Sequence, residues 1–414
     1  MSGSSEDKLP GYEEASERVA AVVARFRSRK PDAERVALAG AAGRVLASSL
    51  RADQDQPPFA RSTRDGFACR AAEASAHRPL PVAGSTQAGE SAAGPLPPGA
   101  AWEIMTGAPV PPGADAVVMV EHVDRDGNAV TMQASRTIAA GENVVAQGAQ
   151  ARAGDELLTA GTALGAAQIA LAAACGEAVV EVYRMPRVAI LTTGDELVGA
   201  ETMPGPGQIR NSNAPMLAAL VAQSGGTPWV LPTAADTAEA LDHALQRAME
   251  ADMLLISGGV SAGKFDLVEP ALARLGARFH FTGVRIQPGK PLVFGELPRG
   301  EDVRSMPFFG LPGNPVSSAV TFLVFAARVL AALAGGGEAG PRFALARLKT
   351  DVKSTPGLTR FLPARWEMNP PQVATIPWHG SGDLAAFARS NCFVAVPEQC
   401  ELLEAGTVVR ILIF

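Results

Sequence analysis

The segment with the strongest chemical character runs from residue 255 to residue 266 and reads LISGGVSAGKFD. A short apolar strand leads into a turn that ends on a carboxylate, Asp266. Ligands of open α/β sheets bind at the carboxyl ends of strands, where glycines let backbone amides approach an anion. The turn predicts a binding site for an anionic ligand, although an ordinary chain reversal is the alternative. The predicted binding residues are Ser257, Gly258, Gly259, Ser261 and Gly263.

Two further loops have a similar design at the ends of other apolar runs. Residues 309–318 read FGLPGNPVSS, and residues 286–291 read IQPGKP, in which Lys290 supplies a compact cation. A rigid turn followed by a helix start is the alternative interpretation of the first loop. Three such loops in one sheet together predict an elongated anionic ligand. The binding residues of the 309–318 loop are Pro312, Gly313, Asn314 and Pro315.

Adjacent carboxylates follow another apolar strand, in the segment LTTGDELV of residues 191–198. Asp195 and Glu196 in this turn are suited to bind Mg²⁺, to orient a nucleophile or to cap a helix. The segments 62–68 (STRDGFA) and 105–115 (MTGAPVPPGAD) read as structural turns when taken alone, because Asp-Gly is most often a turn.

The elements that must position these turns follow from the apolar periodicity. Helical spacing covers residues 12–30, 35–50 and 163–176, and residues 52–154 have the dense Pro, Gly, Ser and Thr content of a β-rich region. From residue 187 to residue 334 short strands alternate with helices, which predicts a three-layer αβα domain. The remainder to residue 414 reads as a small β domain.

Composition excludes several classes of protein. The chain has 414 residues and a net charge of -6, so it is not a generally basic nucleic-acid binder. Its acidic N-terminus lacks the apolar core of a secretory signal, and its four cysteines form no CxxC pair. The apolar run 316–334 is interrupted by polar residues, which favours a buried helix over a membrane span. These features predict a cytoplasmic protein without membrane or nucleic-acid partners.

Several segments together resemble the molybdopterin molybdenumtransferase family, the bacterial MoeA type, to which the E domain of gephyrin is also similar. Residues 62–68 resemble the family's SAMDGYA segment, and residues 390–393 its NCF-type strand. The family's motifs also recur in the family's order as MTGAPVPPGADAVV, TTGDEL, GGVSAGKFD, PGKP and LPGNPVS. The resemblance extends over nearly the whole chain from about residue 10.

The resemblance implies a multidomain α/β fold: a three-layer αβα molybdopterin-binding domain, a β-rich domain, a small helical linker domain and a C-terminal β-barrel-like domain. The corresponding boundaries are 12–31 with 186–334, 53–154, 32–52 with 155–185, and 335–414. Family members insert molybdate into adenylylated molybdopterin and release AMP with the help of Mg²⁺. They are homodimers whose active site lies between the sheet domain of one subunit and the β-rich domain of the other, and a molybdopterin adenylyltransferase and apo-molybdoenzymes are the implied partners.

Residue roles are implied in the same way. Asp65, Thr106 and Glu196 match positions needed for activity, Asp65 and Glu196 as metal ligands, and Asp266 is expected near the pterin or phosphate. The substrate-binding residues implied by the motifs also include Asp236, Lys290, Pro312, Pro315 and Arg360.

The chain departs from the family pattern at a few positions. Arg64 and Phe67 stand where the family usually has Met and Tyr, and Gln150 and Asn211 stand where related sequences carry Asp. These departures leave open a catalytically impaired or tungstate-using paralogue that binds molybdopterin. A molybdopterin adenylyltransferase would need only about residues 185–330, so the additional β-rich and C-terminal modules argue against it. A scaffold protein would not need the carboxylates. A nucleophilic hydrolase is not supported, because the sequence contains no GxSxG motif.

Overall fold

The computed structural model describes residues 9–90, 94–259, 267–299, 302–336 and 340–414. Within them, α-helices cover the following ranges: α1 Tyr12–Arg27, α2 Ala71–Ala74, α3 Ala166–Ala174, α4 Asn213–Gln223, α5 Ala238–Ala248, α6 Val268–Arg274, α7 Pro315–Thr321, α8 Ala327–Leu333 and α9 Leu384–Arg389. A short π-helical segment, Phe322–Ala326, joins α7 to α8.

The strands of the first half of the described chain are β1 Ala33–Ala37, β2 Leu50–Arg51, β3 Arg61–Ser62, β4 Gly66–Cys69, β5 Leu80–Thr86, β6 Ala101–Ile104, β7 Ala116–Met119, β8 Val123–Asp126, β9 Ala129–Met132, β10 Val144–Val145, β11 Glu156–Leu158, β12 Val179–Tyr183, β13 Arg187–Thr192 and β14 Leu197–Val198. Those of the second half are β15 Ile209–Arg210, β16 Thr227–Val230, β17 Met253–Ser257, β18 Arg278–Phe281, β19 Ile286–Gln287, β20 Val293–Arg299, β21 Asp302–Leu311, β22 Phe343–Leu348, β23 Val352–Lys353, β24 Thr359–Met368, β25 Pro371–Thr375, β26 Cys392–Val396, β27 Leu402–Leu403 and β28 Val408–Ile413.

A six-stranded sheet, here the central sheet, carries the alternating α/β pattern in the order β16-β13-β17-β21-β20-β18. The first four strands are parallel, and β20 and β18 are antiparallel to their neighbours. One face packs on α1, α4 and the helix that starts at Pro315, and the other packs on α5 and α6. Both faces are therefore buried, as parallel sheets require, and the predicted three-layer αβα arrangement is confirmed.

The long apolar helix spans Pro315–Leu333 and lies inside this core. By length and composition it could cross a membrane, but 72% of its most apolar 18-residue window is buried within the protein. Val320, Phe325 and Leu330 are completely buried in the cluster that also holds Val19 of α1. The packing confirms the prediction of a buried helix.

Two other sheets flank the central sheet in sequence. The β-rich sheet has the order β7-β4-β6-β5-β9-β8. The C-terminal sheet has the order β19-β24-β25-β22-β28-β26, and a further pairing of β24 with β26 closes five of its strands into a small barrel. The short strand β19 lies outside this closed barrel and joins the sheet through β24. The sheets fit the α/β class with a β-rich part and a barrel-like C-terminus.

The prediction of a helix for residues 35–50 is wrong. The segment forms β1, which pairs with β12 over the register Ala33↔Tyr183 to Ala37↔Val179, then a short 3₁₀ turn and the start of β2. Gly43 has a φ of +76°, which is incompatible with a helix interior. The pairing with a strand about 140 residues away therefore outweighs the local helical spacing. The helix predicted for residues 163–176 is present as α3, and Gly176 after it has a φ of +77°.

The antiparallel strand β20 of the central sheet is joined to α1 by the carboxylate of Glu296. The Arg25 guanidinium and the Ser305 hydroxyl donate to this carboxylate, and His280 Nε2 lies 2.7 Å from its Oε2. Burial alone would raise the pKa of Glu296. The hydrogen bonds from His280 and Ser305 and the charge of Arg25 outweigh burial and lower it to about 2.

Candidate functional site

Three predicted loops leave the central sheet side by side, at its carboxyl edge. Thr192 at the end of β13 pairs with Ser257 at the end of β17, and Ser257 pairs with Leu311 at the end of β21. The turns that follow these residues are therefore neighbours. The parallel register thus brings the TTGDEL, SGG and LPGNP segments to one place, as the strand-end rule predicts.

The glycine turn after β17 packs directly on Thr193. A side chain at Gly258 would place its Cβ 2.6 Å from the Thr193 carbonyl oxygen, and one at Gly259 would place it 2.9 Å from Thr193 Oγ1. Both glycines also have positive φ angles, +100° and +63°. Only glycine fits at these two positions, so the pair allows a close approach of two strand-end loops.

Asn213, the first residue of α4, connects two of the turns. Its Nδ2 donates to Ser257 Oγ at 2.8 Å and to the Gly313 carbonyl at 2.6 Å. Asn213 Oδ1 and Thr193 Oγ1 are buried and have no hydrogen-bond partner in the described part of the chain. Sequence reasoning missed both residues; the polar run Asn211-Ser212-Asn213 before a helix is the signal that marks this region.

The carboxylates after β13 lie at the same edge. The Glu196 carboxylate folds back over Gly194, where a Cβ would meet Glu196 Oε2 at 2.6 Å. Asp195 Oδ1 accepts a hydrogen bond from the Asp236 backbone N–H at 3.1 Å, so the candidate Asp236 is also at this edge. Glu196 and Asp236 are exposed, which leaves both carboxylates available to a ligand.

Lys290 and Arg360 approach the same edge from the other side. Lys290 precedes β20, whose first residue Val293 pairs with Gly310 near the end of β21. Gln287 of the same loop pairs with Arg360 on β24. The Lys290 loop therefore lies between the strand-end turns and the C-terminal barrel, and Arg360 stands in the adjoining strand.

At the start of the long helix after β21, the sequence predicts the position of Pro315 correctly but not the partner of the Asn314 side chain. Pro315 occupies the first helical turn as expected, but the Asn314 side chain makes no capping hydrogen bond to the helix. It donates instead to Ser381 Oγ at 2.8 Å, and the Val316 N–H donates to the Ser381 carbonyl at 3.0 Å. The helix start is thus capped by a loop of the C-terminal part of the chain, which local sequence does not reveal.

Asp65 and Thr106 form a separate pair beside the β-rich sheet. Asp65 Oδ1 accepts from the Thr106 N–H at 2.6 Å and from Thr106 Oγ1 at 2.7 Å. These hydrogen bonds, that of the backbone first, lower the pKa of the Asp65 carboxyl below its usual range. The pair is exposed, so an ionised carboxylate is held in one orientation at the surface. The two hydrogen bonds join the segments 62–68 and 105–115, which read as structural turns when each is taken alone.

The predicted site residues thus fall into two groups within one chain. Among the described residues, no hydrogen bond or ion pair joins Asp65 or Thr106 to Glu196, and no group of three or more His, Cys, Asp or Glu side chains is close enough to hold a metal ion. Ser261, Gly263 and Asp266 lie outside the described residues.

The departure at Asn211 has a structural explanation. Its Nδ2 donates to Thr192 Oγ1 at 2.9 Å and lies 3.3 Å from Thr233 Oγ1, and its Oδ1 accepts from the Ala214 N–H at 3.1 Å. The amide joins two strand-end loops and the start of α4. Gln150 is exposed, and the structure assigns its side chain no role.

Comparison with family models covers most of the chain. Residues 11–176 match the MoeA N-terminal region (domain I and II), residues 189–332 match a probable molybdopterin binding domain, and residues 345–414 match the MoeA C-terminal region (domain IV). A molybdopterin molybdenumtransferase of a Nostoc species is 36% identical over 92% of this chain and 88% of its own length. The chain belongs to the molybdopterin molybdenumtransferase family. The Bacillus subtilis member is 34% identical over 93% of this chain and 90% of its own length.

A solved structure supports membership at the level of the fold. The molybdopterin biosynthesis moeA protein of Pyrococcus horikoshii OT3 superposes with a TM-score of 0.82 at 30% identity, over 98% of this chain and 100% of that one. The resemblance inferred from the motifs is confirmed, and the protein is a transferase of this family. The relatives do not favour the alternative of an impaired or tungstate-using paralogue.

Proposed function

We propose that this protein inserts molybdate into adenylylated molybdopterin and releases AMP, as the last assembly step of the molybdenum cofactor. The arrangement of three strand-end turns at one edge of the central sheet carries this proposal. Glycines, a helix start and Lys290 at that edge suit a ligand that carries phosphates. The names of the relatives agree with it.

The two acidic groups have distinct roles in this proposal. Asp65 is held ionised by Thr106 and orients the oxygen that attacks the phosphoanhydride bond, while Glu196 acts at the strand-end turns. A water oxygen bonds to the adenylate phosphorus as the anhydride P–O bond breaks, so AMP leaves with that oxygen and the phosphate stays on the pterin. The two thiols of the dithiolene displace one oxygen of molybdate, which leaves as water. Lys290 and Arg360 offset the negative charge of the substrate.

The carboxylate oxygens of Asp65 and Glu196 are suitable ligands for Mg²⁺. Asp65 Oδ1 accepts the two hydrogen bonds from Thr106, and no residue in the described part of the chain donates to Oδ2. The Glu196 carboxylate is exposed. Mg²⁺ is commonly held by one or two carboxylates together with substrate phosphates and water. We assign Asp65 and Glu196 as its ligands. When bound, the ion would offset the charge of the phosphates.

We further infer a cytoplasmic homodimer in which Asp65 and Thr106 of one subunit complete the strand-end site of the other. The two groups lie beside different sheets of one chain, and among the described residues no hydrogen bond or ion pair joins them, which supports this arrangement. The chemistry of the substrate implies a molybdopterin adenylyltransferase as its supplier, and apo-molybdoenzymes as acceptors of the product. Neither nucleic acid nor a membrane is part of this proposal.

Cofactor formation in vitro tests the function. Purified protein is mixed with adenylylated molybdopterin, Mg²⁺ and either molybdate or tungstate, and AMP release is followed together with reconstitution of an apo-molybdoenzyme. We expect molybdate-dependent AMP release that Asp65→Ala and Glu196→Ala both lose. Tight substrate binding without AMP release under either oxyanion would overturn the proposal and favour a scaffold protein.

A further inference from the structure

The hydrogen bonds of Asn213 have a defined direction. The Gly313 carbonyl can only accept, so the amide nitrogen of Asn213 must face it, and this fixes which atom is Nδ2. Nδ2 also lies 2.8 Å from Ser257 Oγ, which therefore accepts. The amide thus joins the turn after β17 to the turn after β21 through two donated hydrogen bonds.

The Ser257 and Ser318 hydroxyl groups continue this set of hydrogen bonds to the turn after β21. Ser318 Oγ donates to the Pro312 carbonyl at 2.5 Å and lies 3.4 Å from Ser257 Oγ. Since the Ser318 proton is used on Pro312, Ser257 is the donor of that contact. Protons therefore point in one direction, from Asn213 through Ser257 and Ser318 to Pro312.

The gap between the two turns is narrow. A Cβ at Gly313 would lie 3.9 Å from Gly258 Cα, so small displacements of either turn change the width of the site. The arrangement also leaves Asn213 Oδ1 buried without a partner in the described residues, which is unfavourable for stability.

We propose that Asn213 is a positioning residue that fixes the width of the substrate site by holding the SGG turn against the LPGNP turn. This inference rests on the proposed function, because it concerns the site for adenylylated molybdopterin. Asn213 acts through the Ser257 and Gly313 turns rather than on the reacting bond. Its loss is expected to weaken substrate binding more than it slows turnover.

Substrate binding and turnover are measured separately for Asn213→Ala and for the isosteric Asn213→Asp, which cannot donate from its carboxylate. We expect both to raise the Kd for adenylylated molybdopterin about tenfold, with kcat within about threefold of the unchanged protein. Asn391→Ala is the matched control, because Asn391 also makes two hydrogen bonds, to the backbone of Trp366 in the C-terminal barrel. It is expected to change Tm but not Kd.

Ser318→Ala provides a second variant, because Ser318 is completely buried and cannot contact the substrate. If Asn213 acts through the turns, the double variant Asn213→Ala/Ser318→Ala weakens binding by less than the product of the two single effects. Additive effects, or Asn213 variants with an unchanged Kd, would overturn the inference while the proposed function stands. Failure of the unchanged protein to bind or turn over the substrate would overturn the proposed function itself.

Discussion

At the scale of single residues, the Asp65–Thr106 pair shows how two exposed side chains become a defined group. A free surface aspartate rotates, whereas Asp65 accepts two hydrogen bonds on one oxygen from a single residue. These bonds stabilise the charged form and lower the pKa of Asp65. The carboxylate therefore stays ionised to a lower pH than an ordinary aspartate.

Removing the Thr106 hydroxyl tests this effect. Thr106→Val keeps the backbone N–H but loses one of the two bonds, so the pKa of Asp65 rises toward its ordinary value. We expect the acid limb of the pH profile of AMP release to move to higher pH, while Asp65→Asn lowers the rate about 100-fold or more at every pH. Thr131→Val on β9 of the same sheet is the control. An unmoved acid limb would show that Asp65 does not set it.

At the scale of elements, Gly66 determines how β4 fits between its neighbours. A Cβ at this position would lie 2.0 Å from the Val118 carbonyl oxygen on β7. The Asp65 carbonyl beside it accepts from the Val120 N–H at 3.1 Å. Glycine is therefore needed at position 66, where β4 begins in close backbone contact with β7.

Gly66→Ala is expected to destabilise the protein by about 2–4 kcal/mol, because β4 must move away from β7. Denaturant unfolding measures the loss. Gly40→Ala is the control, since beyond Gly40 and its chain neighbours no atom of the described residues lies within 4 Å of the position its Cβ would take. Equal stability of the two variants would contradict the close packing of β4 on β7.

Glu296 makes the attachment of α1 dependent on pH. Its pKa of about 2 lies below the ordinary 4.5, so the unfolded chain takes up the proton first as the pH falls. The stabilisation is complete above about pH 4.5 and is lost between pH 4.5 and pH 2.

We expect Glu296→Gln to lower the free energy of unfolding by about 1–3 kcal/mol at pH 7, and this difference to shrink as the pH falls through that window. Unfolding curves at several pH values measure it. Glu13→Gln is the control, because the Glu13 side chain is largely exposed and its ion pair with Arg410 is long, at 3.9 Å. A difference that stays constant down to pH 2 would rule out a lowered pKa for Glu296.

At the scale of the whole molecule, the prediction is that Asp65 of one subunit and Glu196 of the other belong to the same site. If the site forms between subunits, a heterodimer of Asp65→Asn with Glu196→Gln contains one intact site and one that lacks both carboxylates. We expect the doubly tagged, purified heterodimer to recover about half of the activity of the unchanged dimer. The two homodimeric variants are the controls. A heterodimer as inactive as they are would place both carboxylates in one subunit's site.

The sequence alone determined the features that depend on local pattern. Alternation of strands and helices predicted the central sheet, and the strand-end rule predicted ligand-binding turns after β17 and β21. The structure also places the turn after β13 at this edge. The long helix at Pro315 was predicted as buried because polar residues interrupt it. The motifs also predicted the family, which the comparisons confirm.

Only the tertiary structure decided the contacts between segments distant along the chain. Thr106 reaches Asp65 across 41 residues, Asn213 reaches Gly313 across 100, and Asn314 turns to Ser381 rather than to its own helix. The segment 35–50 pairs with β12 although its spacing is helical. Local propensity is weak compared with the burial and backbone hydrogen bonding that a distant partner supplies, and neither is visible in a short window of sequence.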